Sequence, residues 1–209
     1  GIDLFIDALA QLNQDRDLKQ DIVAFLLIPA GNRGARPDLQ RCLMRDTAEA
    51  PCFLCGSDNL LTHTLEQPDT DPILCRLHER GLKNADTDRV KVVFVPSYLQ
   101  GDDGIFNLTY YNTLIGLDLT IFASYYEPWG YTPLESLAFG VPTVTSDLAG
   151  FGLWLAQANE ALDTAAAVIH RAGEEDEAAV QEIVARIRVC RGSDAQKRDE
   201  ASQKARSLA

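Results

Sequence analysis

A run of apolar residues places a tight limit on the folds open to this chain. Residues 22–28 are all apolar, and the run stops at Pro29. A strand that is apolar on both faces predicts a central strand of a parallel sheet, covered by helices on each side. Further strands are predicted at residues 89–95, 117–123 and 142–146. Their alternation with helical segments predicts an α/β fold, whose ligands bind at the carboxyl ends of the strands.

Helices are predicted where apolar residues recur three and four positions apart. This spacing covers residues 2–12, 73–82 and 108–116. Residues 29–34 are predicted to be a loop. From residue 159 onward the chain is rich in Ala, Glu and Arg, and only helices packed outside the sheet are expected there.

The charge balance argues against one large class of ligands. Lys and Arg number 19 and Asp and Glu 31, so the net charge is −12 and binding along a nucleic-acid backbone is disfavoured. The longest apolar run is far shorter than the roughly 20 residues that span a bilayer, so no membrane association is expected. These features favour a cytoplasmic protein. Because the helical spacing begins at Ile2 without an initiator Met, the sequence is expected to be part of a longer polypeptide.

The cysteines suggest a metal site only weakly. Five cysteines, an odd number, favour reduced thiols over a disulfide framework. Cys52 and Cys55 form a CxxC pair, with His63, Cys75 and His78 further along the chain. A single CxxC pair without a matching second pair favours ordinary loop thiols over a zinc site, so no bound metal is expected.

The densest motif lies at residues 124–152, SYYEPWGYTPLESLAFGVPTVTSDLAGFG. A predicted strand leads into an aromatic and proline-rich turn, and a helix follows. Thr132 is the predicted N-cap of that helix, and Glu135 its capping-box partner. This helix start lies at a strand carboxyl end, where free amides and the helix dipole can bind a phosphate.

Two acids flank this helix start. Glu127 lies in the turn and Glu135 lies in the helix, so both could reach a ligand at that end. From the local pattern alone, Glu135 could equally serve only as a cap, and Glu127 could be a solvent-exposed loop acid.

The motif resembles the glycogen synthase family of retaining glucosyltransferases, of the animal and fungal type. GIDLFIDALAQLN, THTL, DPIL and DRVKVVFVPSYL extend the resemblance over most of residues 1–153. It implies a GT-B fold of two Rossmann-like domains, of which this chain would be most of the C-terminal, donor-binding half. Residues 1–158 would form a nucleotide-sugar-binding domain that lacks its first strand and phosphate loop, and residues 159–209 a helical extension packed on the same domain.

The resemblance also implies roles for individual residues. Glu127 would lie near the transferred glucose and Glu135 near the nucleotide ribose. Tyr98 would stack on the base, and Tyr110 would contact it as well. The turn that lines the glucose and the diphosphate would consist of Trp129, Gly130, Tyr131 and Thr132. His63 is followed by Thr64 where the family has Asn, and it is expected to be a structural histidine.

The implied reaction is transfer of glucose from UDP-glucose or ADP-glucose to the non-reducing end of an α-1,4-glucan, with retention and without a cofactor or metal. The acceptor would bind the missing N-terminal domain, so the chain alone is expected to be inactive. A homo-oligomer is compatible with this expectation. The alternative is a non-catalytic nucleotide-sugar or glucan-binding module, which predicts a degraded acid pair that the sequence does not show.

Overall fold

The structure, a computed structural model, describes residues 1–18, 20–44, 59–158, 165–173 and 175–209. The chain divides into two compact units. We call Leu12–Tyr110 the first unit, and Gly1–Gln11 with Tyr111–Ala209 the second unit. Among the described residues, no helix combines the length and apolar character needed to cross a membrane.

The first unit contains two pairs of strands. Its elements, with the last turn of α1 (Ile2–Gln14), are β1 (Ile22–Leu27), β2 (Asn32–Ala35), α2 (Pro37–Leu43), β3 (His63–Leu65), α3 (Pro72–Glu79) and β4 (Val90–Val95). Strands β1 and β4 are parallel, with Ile22 opposite Val90 and Leu27 opposite Val95, which confirms both predicted strands. Strands β2 and β3 are antiparallel, so part of the segment predicted as a loop is extended and paired.

The second unit is a three-stranded parallel sheet with helices around it. Its elements, besides most of α1, are α4 (Tyr110–Leu114, whose first residue belongs to the first unit), β5 (Thr120–Ile121), α5 (Tyr131–Ala138), β6 (Thr143–Ser146), α6 (Gly150–Ala158), β7 (Ala166–Ile169), α7 (Asp176–Gly192) and α8 (Ala195–Leu208). The strand order is β5-β6-β7. Helices α5 and α6 contact β6, α7 contacts β7, and α8 packs on α5.

One buried core joins α5, α6 and α8 to the sheet. Its fully or nearly buried residues are Leu137, Phe151, Leu155, Ala165, Ala166, Val168 and Ala205. The small side chain of Ala205 lets α8 approach α5 closely, while Leu134 and Leu208 pack at the margin. The same core therefore fixes α5 and α6, the two helices that begin at the candidate site.

The α/β class with parallel strands and flanking helices is confirmed, with two corrections. The described strands form two separate parallel sheets and not a single one. The segment after residue 159, expected to be wholly helical, contributes β7, which pairs with β6 from Thr143–Ala166 to Ser146–Ile169. Its sequence, AAVI, carries alanines that favour a helix locally. All four residues are buried, so packing decides their conformation.

Candidate active site

The turn after β5 is fastened to the first turn of α6. The amide of Glu127 donates to the Leu148 carbonyl at 3.3 Å, and the Glu127 carbonyl accepts from the Gly150 amide at 3.1 Å. Further along the same turn, the Trp129 carbonyl accepts from the Phe151 amide at 2.7 Å. Amides at a helix start have no partner inside the helix, so these carbonyls satisfy the α6 amides and hold the turn in place.

Two glycines of α6 allow close backbone contacts: Gly150 lets the turn approach α6, and Gly152 lets α6 approach the end of β6. A Cβ on Gly150 would lie 2.3 Å from the Pro128 carbonyl oxygen, and a Cβ on Gly152 would lie 2.0 Å from that of Ser146. Both contacts are with backbone atoms, which cannot rotate away as a side chain can. Glycine is therefore required at both positions by space, and sequence reasoning had not identified either one as part of the site.

Aromatic side chains brace the same turn. The ring of Trp129 meets that of Phe151 edge-on with centroids 5.9 Å apart, and the ring of Trp154 stacks on Phe151 with centroids 5.6 Å apart. Phe151 is completely buried, whereas Trp129 is 37% exposed. The turn is thus anchored in the core of the second unit while one face of Trp129 stays open to solvent.

The start of α5 differs from the prediction. The N-cap is Gly130, with φ of 103°, and no side chain caps the helix. Thr132 lies inside the helix, and its carbonyl accepts from the Ser136 hydroxyl, so the predicted capping box is wrong. A left-handed N-cap favours glycine, which supplies no capping side chain. Among the hydrogen bonds of the described residues, none uses the amides of Tyr131 or Thr132.

Of the two predicted acids, one adjoins this helix start and the other lies within the helix. The Cγ of half-buried Glu127 is 3.5 Å from the place where a Cβ of Gly130 would stand, so this side chain adjoins the N-cap. Glu135, within α5, accepts a hydrogen bond of 2.9 Å from the Tyr111 hydroxyl. No sequence pattern predicts this partner.

Tyr111 is itself held in place. Its ring stacks on Phe139 with centroids 5.2 Å apart and planes 14° from parallel. The hydrogen bond to Glu135, together with the negative charge of that carboxylate, raises the pKa of the Tyr111 phenol. The phenol therefore remains a donor to Glu135 at neutral pH.

The predicted base-binding tyrosines lie in the first unit. Tyr98 follows β4 and Pro96, is 70% exposed, and lines an open cleft of about 630 Å³ at the carboxyl ends of β1 and β4. The cleft walls also include Asn32, whose side-chain Nδ2 donates to the Pro96 carbonyl at 2.6 Å. The Tyr110 amide donates to the Leu99 carbonyl at 2.9 Å, which brings both tyrosines to one short stretch of paired backbone.

His63 also lines the cleft, and its ring is held by hydrogen bonds. It is 1% exposed, and its Nε2 donates to the Asp103 carbonyl at 2.9 Å, since a carbonyl can only accept. The Asp103 carboxylate in turn accepts from the amides of Ile105, Phe106 and Asn107. The histidine therefore fixes the loop that forms one wall of the cleft.

The predicted CxxC pair, Cys52 and Cys55, lies outside the described residues. Among the residues that the structure does describe, no group of three or more His, Cys, Asp or Glu side chains is placed to hold a metal ion.

Comparison with known proteins assigns the chain to a family. A sequence profile for glycogen synthase matches residues 53–207. Glycogen (starch) synthase isoform 2 of Saccharomyces cerevisiae is 35% identical over 88% of this chain and 34% of its own length. The liver glycogen (starch) synthase of Homo sapiens is 40% identical over 59% of this chain and 18% of its own length.

A crystal structure of HepE from Anabaena, in complex with UDP and glucose, is similar at a TM-score of 0.47 and 16% identity. The match covers 100% of this chain and 49% of the HepE chain. At this TM-score and identity, the likeness adds nothing to the family assignment. The chain spans about a third or less of the length of the curated relatives it matches. The profile match extends over well more than half of the residues, and the chain belongs to the glycogen synthase family.

Proposed function

We propose that the chain is the donor-binding part of a glycogen synthase, the C-terminal half of a GT-B glycosyltransferase. The whole protein would transfer glucose from UDP-glucose or ADP-glucose to the non-reducing end of an α-1,4-glucan, with retention. Membership in the family supports glycosyl transfer. The observation that carries the proposal is the start of α5, where no side chain caps the helix and Glu127 adjoins the N-cap.

In this proposal the donor diphosphate lies at the amino end of α5. The amides of Tyr131 and Thr132 would stabilise the negative charge that grows on the diphosphate as its bond to the anomeric carbon breaks. Glu127 would bind the sugar hydroxyls and stabilise the oxocarbenium-like transition state. The acceptor 4-hydroxyl oxygen then bonds to the anomeric carbon, and its proton passes to the departing diphosphate.

The nucleoside would be bound by the remaining predicted residues. Tyr98 would stack on the base, an interaction worth about 1–3 kcal/mol per base, and Tyr110 would contact the same base. Glu135 has one carboxylate oxygen bound by Tyr111, and its other oxygen would accept from a ribose hydroxyl. No step of the proposed reaction uses a metal ion. The glucan acceptor would bind segments outside this chain. The protein would be located in the cytoplasm.

Substitution of Glu127 in the full-length protein tests the central role. Glu127→Gln keeps the shape of the side chain but removes its charge, so kcat is expected to fall about 10²–10³-fold. The matched control is Glu200→Gln on α8, which removes an exposed carboxylate far along the chain and should leave kcat unchanged. Glucosyl transfer by Glu127→Gln at the wild-type rate would refute the assignment.

The donor and the reaction class need separate measurements. Titration of the full-length protein with UDP, ADP and their glucose esters identifies the preferred base. Release of UDP or ADP that requires both nucleotide sugar and glucan supports an enzyme, and full activity in the presence of EDTA supports metal-free transfer. Tight binding of the donor without any release would instead identify a binding module.

A further inference from the structure

A buried cation lies at the carboxyl end of β7. The Arg171 side chain is only 6% exposed. One terminal nitrogen donates to the Ala123 carbonyl at 2.8 Å, and the guanidinium lies over the Tyr125 ring, 5.1 Å from its centroid. The other terminal nitrogen is 3.4 Å from the exposed Asp176 carboxylate. Most of what this cation touches is therefore the segment that follows β5.

The backbone of Arg171 is fixed to the sheet. Its amide donates to the Asp147 carboxylate at 2.8 Å, and the neighbouring Ala172 amide donates to the same group at 3.1 Å. The Asp147 amide in turn donates to the Ile169 carbonyl. The guanidinium thus extends from a rigid base at the ends of β6 and β7.

The segment that Arg171 holds leads directly to Glu127. A second bond acts beside it, because the Ser146 hydroxyl donates to the Ser124 carbonyl at 2.6 Å. Beyond Tyr125, the Glu127 amide and carbonyl are bonded to the start of α6. Arg171 therefore holds the near end of a turn whose far end is held by α6.

We propose that Arg171 is a positioning residue for Glu127. By binding the Ala123 carbonyl and covering the Tyr125 ring, it fixes the backbone from which the Glu127 side chain projects. The assignment rests on the proposed function for its kinetic consequence, because Glu127 acts on glucose only in that reaction. Misplacement of a reacting group by about 1 Å can cost up to 10²-fold in rate.

The geometry requires arginine and not merely a positive charge. A planar guanidinium can donate to a carbonyl in its plane while its face covers a ring, whereas an ammonium group is a compact point charge. Arg171→Lys is therefore expected to keep the fold but to hold the segment before Glu127 less firmly than arginine does. Arg171→Ala leaves a space that free guanidinium ion can enter.

Kinetics of the full-length protein test the proposal. Arg171→Ala is expected to lower kcat about 10- to 100-fold, with the KM for nucleotide sugar within about 2-fold of wild type. Millimolar guanidinium should restore part of kcat in Arg171→Ala. It should not change kcat in the wild type or in the control Arg198→Ala, which replaces an exposed arginine of α8. An unchanged kcat in Arg171→Ala, or an equal loss in Arg198→Ala, would overturn the proposal.

Hydrogen exchange separates this inference from the proposed function. In Arg171→Lys, amide exchange in residues 123–129 should be faster than in wild type, with unchanged exchange in α7. If no nucleotide sugar supports transfer by the wild type, the proposed function fails, and the exchange result still decides whether Arg171 holds the turn. Unchanged exchange in this segment in both Arg171 variants would overturn the positioning role even in an active enzyme.

Discussion

Replacing Gly150 with alanine tests whether the turn at residues 127–129 is docked on α6. The added methyl would lie 2.3 Å from the Pro128 carbonyl oxygen. A methyl carbon and an oxygen at ordinary van der Waals separation are farther apart, so the turn must retreat by roughly 1 Å. That displacement weakens the two backbone hydrogen bonds that Gly150 and Phe151 donate to the turn.

The cost can be estimated from the contacts that are lost. Each backbone hydrogen bond contributes about 1 kcal/mol to stability, and the edge contact between Trp129 and Phe151 about 0.5–1.5 kcal/mol. Alanine in place of glycine restricts the unfolded chain and returns about 0.4–1 kcal/mol. Gly150→Ala should therefore lower the free energy of unfolding by about 2 kcal/mol.

The matched control is Gly192→Ala at the end of α7. A Cβ on Gly192 would meet no atom within 4 Å, so the same chemical change should raise stability by about 0.4–1 kcal/mol. Equilibrium unfolding in urea measures both variants, and the two midpoints should move in opposite directions. A midpoint for Gly150→Ala at or above that of the wild type would refute the docked turn.

Three further predictions concern single side chains. The pKa of Tyr111 is raised mainly by its hydrogen bond to Glu135. The stabilisation from this hydrogen bond is therefore complete below the ordinary tyrosine pKa of about 10, and it is lost as pH rises through the raised value. Glu135→Gln should move the tyrosinate absorbance titration of Tyr111 to lower pH, and an unmoved curve would contradict the pairing. Burial, and then the charge of Asp118, raises the pKa of the Cys190 thiol. With the other four cysteines replaced by serine, Asp118→Asn should shift alkylation of Cys190 to lower pH, whereas an unchanged pH dependence would show that Asp118 has no effect. His63→Ala leaves the Asp103 carbonyl without its donor and should cost about 1–3 kcal/mol in urea unfolding, and wild-type stability would exclude the structural role.

The sequence predicts the fold where apolar patterning is strong. Strands β1 and β4 are dense in Val, Ile, Leu and Phe, and both are found within one residue of their predicted bounds. Strand β7 was missed because its alanines favour a helix until neighbours bury them. Local pattern thus suffices where bulky residues decide the packing, and fails where small residues depend on the packing of others.

The candidate site was predicted by residue type more fully than by geometry. Glu127 and Gly130 lie together at the start of α5, yet the assumed cap at Thr132 is absent, because a glycine in the left-handed region begins the helix. The partners of the site, Tyr111 and Arg171, come from distant parts of the chain. No spacing rule links residues that meet only after the sheet has formed.

The starts of α5 and α6 differ in whether their first amides have an acceptor, and in the proposed function this difference makes α5 the anion site. At α6 the carbonyls of Glu127 and Trp129 accept from the first amides, so the positive end of that helix is already satisfied. At α5 no side chain caps the helix, and the same turn leaves its first amides without an acceptor among the described residues. The net charge of −12 on this chain does not favour a diphosphate, and the proposed function assigns the attraction to local amides. In the proposed function Gly150 therefore supports anion binding at α5, because a larger residue there would displace the turn that leads to Gly130.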